Sequence, residues 1–179
     1  MNFCSHCGAG VSVRVPDGDN LPRHVCDSCG RIHYSNPKLV VGCIAEWEEK
    51  ILLCRRAIEP RHGLWTIPAG FMENRETTEQ AAARETLEEA CAQVADLQPY
   101  GLYDLPQISQ VYLVYRGRLV DGVHDAGQES LATELVAPES IPWETLAFPV
   151  IEETLRHYVE DRRTGHFPLH TGVLVRRLG

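Results

Sequence analysis

The chain has 179 residues, 44% hydrophobic and 23% charged, which leaves room for one ordinary domain and a small appendage but not for two full-sized domains. Its 17 Lys and Arg against 25 Asp and Glu give a formal charge of -8, which argues against general affinity for nucleic acid or anionic membrane and requires a local cation for any anionic substrate. No apolar run approaches the roughly 20 residues that span a bilayer, and the start Met1-Asn2-Phe3-Cys4 lacks a basic and apolar leader, so a cytoplasmic protein is expected.

Residues 1–33 are poor in large apolar side chains and carry four of the seven cysteines. Cys4-x2-Cys7 and Cys26-x2-Cys29 have the two-knuckle spacing of a structural Zn²⁺ site, each pair placing two thiolates on one side of a tight turn. Two disulfides or four free thiols are the alternatives, and a reducing compartment favours zinc. Four thiolates close the coordination sphere to a catalytic water, so His6 and His24 are expected at the surface rather than on the metal. Gly8 and Gly30 stand where such turns need positive φ. Pro16–Asn20 predicts a turn between two short strands, and Arg31–Lys38 reads as a connector.

From residue 38 the pattern changes. Leu39–Trp47 and Ile51–Arg56, rich in Val, Ile and Leu, predict a hairpin, and Trp65–Ile67 a further short strand. Thr77–Gln93 has no Gly or Pro, places Thr77 and Gln80 as a capping box, and spaces Ala83, Leu87, Ala90 and Val94 as an apolar face. Ile108–Val120 and Leu131–Val136 resume strand character, and Val150–Arg163 predicts a second amphipathic helix. This order argues for a mixed α/β (α+β) domain over 38–163, followed by a tail over 164–179. Cys43, Cys54 and Cys91 are expected to be small buried hydrophobes.

On the first helix Glu85, Glu88 and Glu89 stand at i, i+3 and i+4, within an arc of about 100°. Hard oxygen ligands clustered this way suit Mg²⁺ or Mn²⁺. A solvated face, with Arg84 paired to Glu88 at i+4, is the alternative.

With the loop before it, Gly70-x5-Glu76-x7-Arg84-Glu85-x2-Glu88-Glu89 resembles the Nudix box, the signature of hydrolases that cleave a nucleoside diphosphate linked to another moiety. Thr86 stands where an aliphatic residue is usual, and Cys91 where the family has Gly. The resemblance implies a Nudix α/β/α sandwich with a mixed sheet, preceded by a zinc ribbon. It implies that Glu85 and Glu89 ligate Mg²⁺ or Mn²⁺ directly, that Glu88 does so through water or a further metal, and that the Gly70 carbonyl assists. Arg84 would orient the glutamates, Glu76 would support Arg84, and Glu129 resembles a late-loop glutamate that positions water.

Stretches such as Cys-Gly-Arg-Ile-His-Tyr-Ser-Asn-Pro-Lys, Gly-Leu-Trp-Thr-Ile-Pro-Ala-Gly-Phe and Gln-Glu-Ser-Leu look like the zinc-ribbon Nudix subfamily of FAD and ADP-ribose pyrophosphatases, whose hydrolysis releases AMP. NADH pyrophosphatases share the ribbon, but their downstream Ser-Gln-Pro-Trp-Pro-Phe-Pro signature is missing, which makes NADH or another dinucleotide the second reading. A catalytically silent zinc-ribbon binding module is the non-enzymatic one. Trp65, Tyr103 and Phe148 are candidates for stacking on adenine or flavin, and Arg55, Arg56 and Arg61 for phosphate contacts. The partners expected are a small nucleotide substrate and, from the resemblance, a second copy in a homodimer, with neither nucleic acid nor membrane.

Overall fold

A computed structural model of the chain describes residues 1–175, which divide into two compact units, Met1–Pro37 and the remainder from Lys38.

The first unit is a three-stranded antiparallel sheet of β1 (Val11–Arg14), β2 (Arg23–Cys26) and β3 (Ile32–His33). The turn expected at Pro16–Asn20 joins β1 to β2, with Asp19 Oδ1 accepting from the Asn20 and Leu21 amides. Arg31–Lys38 is not merely a connector, because Ile32 and His33 pair with Val25 and His24 as a third strand. A two-residue strand is too short to show a period in the sequence.

The second unit is built on β4 (Lys38–Trp47), β5 (Lys50–Arg56), β6 (Trp65–Thr66), β7 (Ala69–Phe71), α1 (Thr78–Ala90), β8 (Val94–Leu105), β9 (Gln110–Leu119), β10 (Ser130–Val136), α2 (Pro149–Thr164) and β11 (His170–Val173). The strands form one mixed sheet in the order β10-β5-β4-β9-β8-β11, with β6 added to β5 and β7 to β4. The β4–β9 and β8–β11 pairs are parallel and the rest antiparallel. The predicted hairpin pairs only at its closed end, Glu46 with Ile51 and Trp47 with Lys50.

Side chains alternate across a strand, and here both sides are covered, so β4 and β5 read as continuous apolar runs. Val40, Ile44, Ile51 and Leu53 join Val150, Ile151, Leu155 and Tyr158 of α2 on one face. Val41, Cys43, Ala45, Leu52 and Cys54 join Ala81, Ala82 and Ala90 of α1 on the other. The result is an α/β/α sandwich.

The capping box forms as expected. Thr77 accepts from the Gln80 amide at 3.2 Å and the Gln80 side chain accepts from the Thr77 amide at 2.8 Å. The helix is shorter than predicted, and a different face is buried. Ala81, Ala82, Glu85, Thr86, Glu89 and Ala90 face inward, while Leu87 is 50% exposed and Val94 begins β8. Small alanines bring the backbone close to β4, so the buried face is short in side chains rather than rich in large apolar ones. Thr86, fully buried, satisfies its hydroxyl by donating to Ala82 O at 2.8 Å.

Cys91 corrects a further expectation, being exposed rather than packed. It ends α1 in the left-handed conformation at φ 49°, its amide donating to Leu87 O at 2.9 Å. Glycine suits this position because an L-residue there carries a steric cost of about 1–2 kcal/mol. Cys91→Gly is therefore expected to raise stability by roughly 0.5–1 kcal/mol after its unfolded-state entropy is counted. Urea denaturation measures this, and a loss of stability would show that the thiol packs more than its exposure indicates.

Strand β8 carries no clear strand pattern in the sequence. Pro99 and Gly101 interrupt its pattern, and both lie at register shifts against β9. Within the segment over 164–179, read as a tail, His170–Val173 forms β11 beside β8, and residues 176–179 lie outside the described residues. Among the described residues no helix is long and apolar enough to cross a membrane.

Candidate active site and metal clusters

In the first unit the Sγ atoms of Cys4, Cys7, Cys26 and Cys29 all lie within 4.8 Å of one another. Cys4 to Cys29 is 3.8 Å and Cys7 to Cys26 is 3.4 Å, against about 2.05 Å for a disulfide. Gly8 and Gly30 take φ of 75° and 70°, as the knuckle turns require. The His6 and Cys29 amides donate to Cys4 and Cys26 sulfur, each at 3.4 Å. The Cys26 thiol is lowered to about 6, chiefly by the amides of Cys29 and Ser28. Four soft donors converging with thiolate-stabilising amides fit Zn²⁺. His6 is exposed and His24 half-buried, but His33, which spacing did not single out, places Nε2 3.3 Å from Cys4 Sγ.

In the second unit Arg84 organises the glutamates. Its Nε and Nη2 donate to Glu76 at 3.0 and 2.8 Å, and Nη1 donates to Glu85 at 2.7 Å and Glu88 at 2.9 Å. Nη2 also donates to Phe71 O at 3.2 Å, tying the helix to β7. Glu76 accepts from the Glu73 amide as well, and the Arg84 guanidinium holds its carboxyl down at about 2. The Arg84–Glu88 pair expected on a merely solvated face is present, but as one arm of a three-carboxylate network with Glu76 and Glu85.

Glu85 and Glu89 are only 8% and 6% exposed. Burial raises the Glu85 carboxyl, with Arg84 opposing and the Glu88 charge adding, and burial pushes Glu89 up to about 7, with the Ala69 amide opposing and the Glu85 charge adding. That amide donates to Glu89 Oε2 at 3.0 Å. Gly70 lies so close to Glu85 that a β-carbon would overlap its carboxylate. Two buried, mutually repelling carboxylates beside a backbone cradle that excludes side chains fit a hard divalent cation. Glu88 stands further out, its side chain 58% exposed.

Glu129 is exposed on the loop before β10, where its charge raises both Glu85 and Glu89. Arg56 is buried, donates from Nε to Pro60 O at 2.9 Å, lies over the Phe148 ring, and its charge favours ionised Glu89. Arg55 is exposed and donates to Gly63 O at 2.9 Å, and Arg61 is exposed. Half-buried Trp65 borders a cavity of about 310 Å³ with Lys50, Glu134, Ser140 and Pro142. Tyr103 corrects its expected stacking role. It is 1% exposed in the core, its hydroxyl 2.9 Å from His157 Nδ1 of α2, because it lies on the unpredicted strand β8.

An α/β/α sandwich presenting an arginine-braced glutamate helix beside a glycine cradle offers the donor set of a divalent-cation site. Two family models match the chain, Nudix N-terminal (the zinc ribbon) over residues 2–35 and NUDIX domain over residues 36–158, and the chain belongs to the Nudix hydrolases. The crystal structure of a NUDIX hydrolase from Nitrosomonas europaea superposes with a TM-score of 0.94 at 52% identity, covering 98% of this chain and all of that one. The NAD-capped RNA hydrolase NudC of Photobacterium profundum is 30% identical over 162 residues, covering 87% of this chain and 58% of that protein. This chain thus spans less than two thirds of the length of the curated relatives it matches. An ADP-ribose pyrophosphatase from Streptococcus suis shares the fold at 21% identity and a TM-score of 0.63, covering 76% of this chain and 99% of that one.

Proposed function

We propose that this protein hydrolyses the pyrophosphate bond of FAD or ADP-ribose, releasing AMP. The observation that carries the reading is the pair of buried carboxylates, Glu85 and Glu89, set against Gly70 and Ala69 and braced by Arg84. A bound Mg²⁺ or Mn²⁺ would neutralise pyrophosphate charge and acidify the attacking water. Glu85 and Glu89 would hold it directly, with Glu88 acting through water and the Gly70 carbonyl assisting. Arg84, itself anchored by Glu76, keeps these carboxylates in register with β7.

Glu129 accepts the proton of the attacking water, whose oxygen bonds to phosphorus as the bridging P–O bond breaks. The products are AMP and FMN from FAD, or AMP and ribose 5-phosphate from ADP-ribose. Arg56, with Arg55 and Arg61, supplies positive charge to the phosphates, and Trp65 offers an aromatic face to a base or flavin. A homodimer, measurable by light scattering, belongs to the same reading. The four-cysteine cluster holds structural Zn²⁺ and takes no part in the chemistry.

NAD(H) is the second reading, favoured by the name of the 30% identical relatives. Incubation with FAD, ADP-ribose, NADH, NAD-capped RNA and CoA plus Mg²⁺, with products separated by chromatography, decides between them. AMP release is expected fastest from FAD or ADP-ribose. Preference for NADH or capped RNA would overturn the substrate assignment, and no nucleotide release from any arm would return the chain to a silent binding module.

A further inference from the structure

The segment between β9 and β10 carries Glu129 and is bolted to the end of the glutamate helix. Two of its amides donate to the last carbonyls of α1, Asp125 N to Ala90 O at 2.9 Å and Gly127 N to Glu89 O at 3.0 Å. These are among the carbonyls a helix cannot satisfy by itself. Gly127 reaches this position because it has no side chain. A β-carbon there would overlap the Glu88 carbonyl oxygen and stand 2.8 and 3.1 Å from the carbonyl carbons of Glu88 and Glu89. All three are backbone atoms of a packed helix and cannot swing aside. The requirement is one of space, since Gly127 is not among the positive-φ glycines. Beyond it the Ser130 amide donates to Gly127 O at 3.1 Å, and the Ala57 amide, just past β5, donates to Glu129 O at 2.8 Å. Glu129 is thereby held between the end of α1 and the end of β5, on the same backbone unit that receives the Glu89 carbonyl.

We propose that Gly127 is a positioning residue for the reaction: its bare backbone docks the loop on the C-terminal end of α1 and so sets where Glu129 stands relative to Glu85 and Glu89. The inference rests on Glu129 acting on the water, as proposed above. It requires that metal helix and water-handling loop form one rigid assembly, so that a small disturbance at the joint is felt at the reacting atoms.

A double-mutant cycle on the full chain tests it, using Gly127→Ala, Glu129→Gln and both together, with kcat, KM and thermal stability recorded for each. Gly127→Ala is expected to lower kcat at least about 10-fold with KM moved less than about 3-fold, and to add less than about 2-fold in the Glu129→Gln background. A wild-type kcat for Gly127→Ala, or a full multiplicative loss in the double variant, would overturn the positioning role. If Glu129→Gln itself keeps full kcat, it is the catalytic reading of Glu129 that falls. Inserting one glycine between Gln128 and Glu129 keeps the Asp125 and Gly127 amides at the end of α1 while it shifts Glu129 together with the Ala57 and Ser130 backbone contacts, so it tests the placement of Glu129 where Gly127→Ala folds poorly. Its kcat should fall to the Glu129→Gln level, and retention of wild-type kcat would overturn the proposal.

Discussion

Glu89→Gln is expected to reduce AMP release by more than about 100-fold and, in chelator at pH 8, to make the protein more stable than wild type. The first effect follows from removing a proposed metal ligand, since even partners that merely orient such ligands cost 10–100-fold. The second follows from burial. Glu89 is 6% exposed, and its carboxyl is pushed up from 4.5 to about 7, largely by desolvation. A raised acid pKa means that the folded state prefers the proton, so stability is fullest below the ordinary pKa and falls as pH rises toward 7. Above that the ionised carboxylate costs on the order of 3 kcal/mol without a cation. Glutamine keeps an oxygen for the Ala69 amide and carries no charge. Melting curves in EDTA should show the variant higher by roughly 5–10 °C at pH 8 and level with wild type at pH 4.5. Adding Mg²⁺ should reverse the order by stabilising wild type alone. A less stable variant at pH 8 would refute the burial argument, and undiminished turnover the catalytic one.

Cys26→Ser is expected to abolish stoichiometric zinc and to unfold residues 1–37 while the second unit keeps its melting transition. The first unit has almost no core. Cys4, Val25 and Cys26 are its only buried hydrophobics among the described residues, while Phe3, Val13, Val15, Leu21 and Tyr34 are exposed. Such a unit cannot offset its chain entropy by burial, so the metal must hold it. Structural zinc in small domains contributes about 10–16 kcal/mol of apparent binding energy, well above what one sheet of ten paired residues supplies. Zinc content by mass spectrometry and hydrogen exchange resolved by peptide check this. Exchange should become rapid throughout residues 1–37 and stay slow in β4, β5 and β9. Retained protection in β1 and β2 without zinc would show that the sheet stands alone.

Several features are legible in the chain because they rest on local chemistry. Cys-x2-Cys spacing confines two thiols to one turn, the Thr77–Gln80 box begins a helix, and i, i+3, i+4 spacing gathers Glu85, Glu88 and Glu89 on one side of it. Each is settled by residues within a few positions of one another. What the helix packs against is not. Leu87 is outside and Glu85 and Glu89 are inside because alanines at 81, 82 and 90 let α1 lie flat on the sheet, an arrangement that opposes the usual hydrophobic rule. Tyr103 escaped correct placement because β8 is bulged around Pro99 and Gly101, and the ribbon's third strand and β11 escaped because each is too short to show a period.

By itself, then, the sequence determined the chemical inventory: four thiols for one soft ion, a helix of carboxylates with its own arginine, and the family those residues mark. Tertiary structure alone decided the states of that inventory. It buried Glu85 and Glu89, brought His33 to Cys4 across 29 positions, and seated Gly127 on the end of α1. Spacing along a chain specifies neighbours on one turn or one helix face, whereas desolvation and loop docking depend on elements that meet only when the sheet closes.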